Sequence, residues 1–263
     1  MFGFGRMEKV CCLSGFTLAE VLITLGIIGV VAAVTMPTLV ANHREKATVA
    51  KLKKSYSVLN QAYLRAINEH GNIEDWGFGG DSTAAVEDPE SGEKKYGELT
   101  VRNSQLLLDI MTEHMTGVKK CYQPACDISY YNPKSLSGIE RTKGVSLNIV
   151  DLPDGSSLLG GWISLTDCKA VRECGDFAID INGTKNPPNI VGIDVFYFQV
   201  KPTTIAPYGY PGEALEFPTY YCDIKSTTSQ INGYACSSWV IQNENMDYLH
   251  CDDLSWGGKH KCK

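Results

Sequence analysis

Hydrophobic side chains gather first in one unbroken block. Residues 16–36 form a run of 21 positions with a single ionisable group, Glu20. As a helix such a run spans about 31 Å, enough to cross the ~30 Å hydrocarbon core of a bilayer, so it predicts a membrane segment. Beyond Pro37 the block thins to a stripe. Val49, Leu52, Tyr56, Leu59, Tyr63 and Ala66 or Ile67 recur at three- and four-residue steps, the spacing of an amphipathic helix that lays one face on a core. Gly71 supplies the stop. The reading is one helix over residues 16–70, apolar all round over 16–36 and one-faced over 37–70.

The rest of the chain, residues 71–263, reads as a head domain that covers the stripe. Residues 72–98 are rich in acidic side chains and glycine, the mark of a solvated connector. Leu106, Leu107, Ile110, Met111 and His114 or Met115 predict a short second helix ending near Gly117. From residue 144 the period changes to two. Val145, Leu147 and Ile149 alternate with polar residues, Pro153-Asp154-Gly155 provides turn chemistry, and Leu158 to Leu165 resumes an apolar run, which together predict a hairpin. Phe177 to Asp180 and Asp194 to Val200 predict a second strand pair, whereas Trp239 to Ile241 and Met246 to Leu249 are short apolar pieces. The expected fold class is α+β, a long helix packed on an antiparallel β-sheet with a cysteine-rich carboxyl-terminal part.

Composition adds location. The chain has 263 residues, 43% hydrophobic and 21% charged, and a formal net charge of −6, which excludes a disordered acidic tail and a strongly basic nucleic-acid binder. Cysteine is the outlier, with ten residues, of which eight fall in the head at 121, 126, 168, 174, 222, 236, 251 and 262. None of the ten shows the two-residue spacer of a zinc ribbon or redox motif, so the eight read as about four disulfides in an oxidising compartment. Eight cysteines allow 105 pairings; chain proximity alone nominates Cys121–Cys126, Cys168–Cys174, Cys222–Cys236 and Cys251–Cys262.

The approach to the apolar block is specific. Small and polar residues, Leu13-Ser14-Gly15, precede it rather than follow it, so any cleavage lies upstream of the helix, and Phe16 stands where a lipoprotein signal needs cysteine. Glu20 is expensive in a membrane and needs a partner or a function. Cleavage after Gly15 would free the Phe16 amine four residues away as a partner. The segment from Gly15 through Phe16, Thr17, Leu18, Ala19 and Glu20 to Leu25 is similar to the prepilin signal of type IV pilins and type II secretion pseudopilins. That resemblance implies a prepilin peptidase that cuts after Gly15 and methylates Phe16. It also implies a Glu20 that neutralises the amine of an adjoining subunit during assembly, and a Pro37 at which such helices bend. The motif covers about 25 residues, and helical character carries the resemblance to about residue 70.

Charge flanking the helix points the other way. Residues 1–15 carry Arg6 and Lys9 against Glu8, while residues 42–54 carry Arg44, Lys46, Lys51, Lys53 and Lys54 against Glu45. Taken alone, that asymmetry places the carboxyl side in the cytoplasm. The eight head cysteines and the cleavage signal place it outside, and Met7 is a second candidate start.

No enzymatic motif is present: neither His-Glu-x-x-His nor Gly-x-Ser-x-Gly occurs, the five histidines are scattered, and there is no glycine-rich phosphate loop. Asp180, Asn182 and Asp194 around Gly183 offer hard oxygen ligands suited to calcium, as some pseudopilins use in a head loop, and the same residues are what a hairpin turn wants. Tyr208, Tyr210, Tyr220 and Tyr221 are candidates for an adhesive surface or for packing. The expected function is a filament subunit of a type IV pilus or type II secretion system. Its expected partners are copies of itself or related pilins, prepilin peptidase and inner-membrane assembly machinery, with the head periplasmic or extracellular and direct nucleic-acid binding not expected. The rival is a membrane-tethered extracellular adhesion or binding module that never polymerises.

Overall fold

A computed structural model describes residues 17–83, 86–87, 94–128, 130–140, 148–219 and 221–262. The expected cleavage residues Gly15 and Phe16, together with Cys11, Cys12, Val145, Leu147 and Tyr220, lie outside them. The chain forms two compact units, Met1–Arg44 and Glu45–Lys263.

Helix α1 (Leu18–His70) runs through both units as one 53-residue element that includes Pro37. In the first unit its apolar side chains, from Leu18, Val21 and Leu22 to Leu39 and Val40, are exposed. This stretch is long and apolar enough to cross a membrane. In the second unit Val49, Leu52, Ser55, Leu59, Tyr63 and Ala66 are buried at helical spacing. The stripe is the predicted one except that Ser55 takes a core position, while Tyr56 stands half-buried beside it and stacks on Phe198 at 5.5 Å. The helix ends where glycine permits: Gly71 has φ +78° and its N–H bonds back to Ile67 O at 3.0 Å.

Within the second unit, six strands form an antiparallel meander in sequence order. They follow a two-stranded hairpin, β1 (Val86–Glu87) and β2 (Lys94–Lys95), and are β3 (Lys119–Tyr122), β4 (Asn148–Asp151), β5 (Ser157–Ile163), β6 (Gly175–Asp180), β7 (Val195–Val200) and β8 (Ile205–Pro207). Successive side chains go to two separate cores. Val150, Leu158, Phe177, Ile179, Phe196 and Phe198 pack with the α1 stripe, whereas Ile149, Leu159, Ala178 and Val195 pack with Ile128, Tyr131, Val191, Tyr208 and Tyr234. Both faces are therefore covered, and β6 is buried along most of its length.

Three further helices complete the unit. Helix α2 (Glu98–Thr112) packs on β5 and starts earlier than the apolar pattern indicates, because its first buried positions are Thr100, Asn103 and Ser104. Those side chains serve the preceding loop: Asn103 Nδ2 donates to Gly80 O at 2.8 Å and Thr83 N–H donates to Thr100 Oγ1 at 2.8 Å. Helix α3 (Leu165–Val171) replaces the end of the expected apolar strand run, with Ser164 Oγ capping Asp167 N–H at 3.0 Å. The short apolar piece at Trp239 to Ile241 lies in helix α4 (Cys236–Asn243), and Met246 leads into a 3-10 turn at Asp247–Leu249. Four disulfides tie the unit: Cys121–Cys126, Cys168–Cys174, Cys222–Cys236 and Cys251–Cys262.

Candidate functional site

The start of α1 is built from a local hydrogen-bond cycle. Glu20 Oε2 accepts from both the Thr17 N–H and the Thr17 hydroxyl at 2.8 Å, and Thr17 Oγ1 accepts from Glu20 N–H at 3.2 Å. This is a capping box, which pairs two amide donors that the first turn of a helix otherwise leaves open. Glu20 thus has a partner on its own chain. The sequence signal was Thr17-x-x-Glu20 immediately ahead of the apolar run, and the reading of Glu20 as a charge in need of a neighbour passed over it.

Other polar atoms in the apolar half are satisfied internally too. Thr24 Oγ1 donates to Glu20 O at 2.9 Å and Thr35 Oγ1 donates to Val31 O at 2.9 Å, so neither hydroxyl needs water. Gly26, Gly29 and Ala33 fall at i, i+3 and i+7 on one face. Beyond the helix's own backbone, a Cβ at either glycine would meet nothing among the described residues within 4 Å. The face is smooth and low, the kind against which a second helix backbone can approach closely.

The basic residues that upset the charge rule are partly engaged in the second unit. Lys51 Nζ donates to Asp154 O at 3.0 Å, and Lys53 pairs with Glu244. Their positions serve contacts between the helix and the loops of that unit, which is a reason for lysine there apart from membrane topology.

Asp180 and Asp194, both buried, face one another across the β6–β7 connection. Asp180 Oδ1 accepts from the Asn182 and Gly183 N–H groups at 3.2 and 2.9 Å, and its Oδ2 accepts from Tyr131 OH at 3.1 Å. Asp194 accepts from Asn189 N–H at 2.9 Å and from Ile190 N–H at 2.6 Å. Burial, and secondly the Asp194 charge, pushes Asp180 up to about 7. Burial raises Asp194 as well, against the pull of its backbone donors. Asn182 Nδ2 donates to Pro187 O at 3.1 Å, while the amide oxygens of Asn182 and Asn189 are buried and accept nothing. The three expected calcium residues therefore come together. Their oxygen-only chemistry suits a hard cation, and the carboxylates already clamp the loop through its backbone amides. Tyr131, which the sequence pattern did not single out, is the side-chain partner of Asp180.

Among the tyrosines, Tyr208 is buried with its hydroxyl on Glu173 Oε1 at 2.7 Å, and Tyr210 stacks on Trp256 at 6.3 Å. These two are used in packing.

The fold and this site define a class: an α+β unit stapled by four disulfides, continuous with a helix able to span a membrane. The chain belongs to a family of unknown function, DUF6613, whose family model matches residues 38–245. That match covers the one-faced half of α1 and most of the head and begins after the apolar segment. No curated protein and no solved structure matches the chain. The likeness to prepilins accordingly rests on residues 15–25 and the helix that follows them.

Proposed function

We propose that the chain is a pilin-like or pseudopilin filament subunit, cut by prepilin peptidase after Gly15, methylated at Phe16 and assembled through the first half of α1 in a type IV pilus or type II secretion system. Before assembly it is a single-pass protein of a bacterial inner membrane with its head outside. The observation that carries the reading is the apolar half-helix from Leu18 to Val40, whose large hydrophobic side chains the described residues leave exposed, headed in sequence by Gly15 to Glu20. The Gly26, Gly29 and Ala33 face supports a helix as one of its neighbours.

A specific observation favours a second reading. The Thr17–Glu20 capping box gives Glu20 a role that needs no adjoining subunit, as in an anchored binding module that stays monomeric. Photo-crosslinking in cells separates the two, with a photoreactive residue placed at Gly26 or Gly29 and, as a control, at exposed Val171 on the head. Copy-to-copy crosslinks through the helix positions are the filament outcome. Labelling of lipid alone is the outcome for an anchor.

A further inference from the structure

The ends of α1 and α2 bring together two Glu-His dipeptides. Glu69 and His70 close α1, and Glu113 and His114 follow α2. They pair crosswise: His70 Nε2 lies 2.7 Å from Glu113 Oε2, and His114 Nε2 lies 2.5 Å from Glu69 Oε2. One ligand atom from each of Glu69, Glu113 and His114 lies within 4.8 Å of the others.

We propose that Glu69, Glu113 and His114 form a binding site for a divalent first-row transition ion, with Zn²⁺ the natural fit, that fastens the end of α1 to the end of α2.

Three arguments converge. The first is charge. Two carboxylates held within 4.8 Å of each other repel, and a divalent ion between them would offset that repulsion. Both helices also direct their carboxyl-terminal ends here, where unsatisfied carbonyls carry partial negative charge and favour a cation. The second argument is ligand chemistry. Mixed imidazole and carboxylate donors suit zinc and its neighbours, while calcium and magnesium prefer oxygen alone.

The third is geometry and support. Tetrahedral bonds of about 2.1 Å put ligand atoms about 3.4 Å apart, so the exposed side chains need only small adjustments to close on an ion. The backbone beneath them is fixed. Tyr63 and Ala66 bury the last turns of α1, and Met111 and Thr112 bury the end of α2, with Thr112 Oγ1 bonded to Leu108 O at 2.7 Å. His70, hydrogen-bonded to Glu113, is placed as the outer partner that orients a ligating carboxylate. Water completes the coordination. The site does not depend on the filament reading.

The test uses the full chain in detergent, without a polyhistidine tag, stripped with chelator and titrated with Zn²⁺ in competition with a chromophoric indicator. The expected result is saturable binding of one ion per chain, a rise in Tm, and Co²⁺ absorption bands showing nitrogen and oxygen ligation. His114→Ala and Glu69→Gln should abolish binding while leaving the metal-free Tm near that of the parent, and His70→Ala should weaken it about tenfold. His250→Ala removes another exposed imidazole, paired with Glu45 at 2.9 Å, and should change nothing. Absence of one-to-one binding to the unsubstituted chain would overturn the proposal, and so would binding that survives both His114→Ala and Glu69→Gln.

Discussion

Glu20 and Asp180 are both carboxylates in costly surroundings, and each is answered by donors close in sequence. For Glu20 these are the amide and hydroxyl of Thr17, so capping and charge are separable by substitution. Gln at position 20 keeps an acceptor for the capping box, and Ala removes both acceptor and charge. If the charge pairs with a terminal amine during assembly, Glu20→Gln and Glu20→Ala both insert in the membrane and both fail to enter filaments. Normal incorporation of Glu20→Gln would reduce Glu20 to a helix cap. For Asp180 the consequence is a pH dependence. Its folded value of about 7 lies above that of an unfolded aspartate, so the folded state holds the extra proton between pH 4 and 7. This contribution to stability is full below pH 4 and is lost as pH rises through 7. Asp180→Asn retains an acceptor for Asn182 and Gly183 and removes the charge. Its expected effect is a gain at pH 8 on the order of 1 kcal/mol and a flatter stability profile from pH 5 to 8, checked by thermal melts. Calcium in the same melts raises the Tm of the parent but not of Asp180→Asn if the loop holds the ion, and leaves both unchanged if the carboxylates only clamp the backbone.

Elements with a strong period were legible, and those built on polar or small buried residues were not. The α1 stripe and the Gly71 stop follow from spacing, because burying an apolar face dictates that spacing. Strands β6 and β7 were marked by apolar runs that both sheet faces now bury. The start of α2 was hidden because Thr100, Asn103 and Ser104 point into the core. Helix α3 was hidden because only its first residue, Leu165, belongs to the apolar run, although Ser164-x-x-Asp167 was a cap signal. The four disulfides all close short loops, which is why chain proximity was informative. Close packing gives an element-scale test. A Cβ on Gly160 of β5 would come within 1.9 Å of Ser104 Oγ, an atom with no hydrogen-bond partner. Gly160→Ala should cost about 1–3 kcal/mol, and Ser104→Ala should be close to neutral, since it deletes an unpaired buried hydroxyl. The double variant should recover most of the loss, and strict additivity in denaturant melts would show that the helix and strand do not meet there. Replacing Cys222 and Cys236 with Ala opens a loop of 14 residues and should cost about 3 kcal/mol by the same melts.

At the scale of the whole molecule, the chain divides at Arg44, inside its longest helix rather than after it. The reason is burial: the first core residue of α1 is Val49, and before Glu45 the described helix residues are exposed apart from half-buried Ala32. The family match runs from residue 38 to 245 and so covers most of the second unit and little of the apolar half-helix. The reading from sequence began the head at residue 71, after the helix, and did not supply the second core on the far face of the sheet, because loops carry that face and loops have no period. The central claim is that the helix is exposed by a specific cut. The direct measurement is the amino-terminal residue and mass of the protein recovered from membranes of cells with and without an active prepilin peptidase. The account predicts a chain beginning at N-methylated Phe16 when the peptidase is present and one retaining Gly15 when it is absent. An identical, unmethylated amino terminus upstream of Gly15 in both would contradict it.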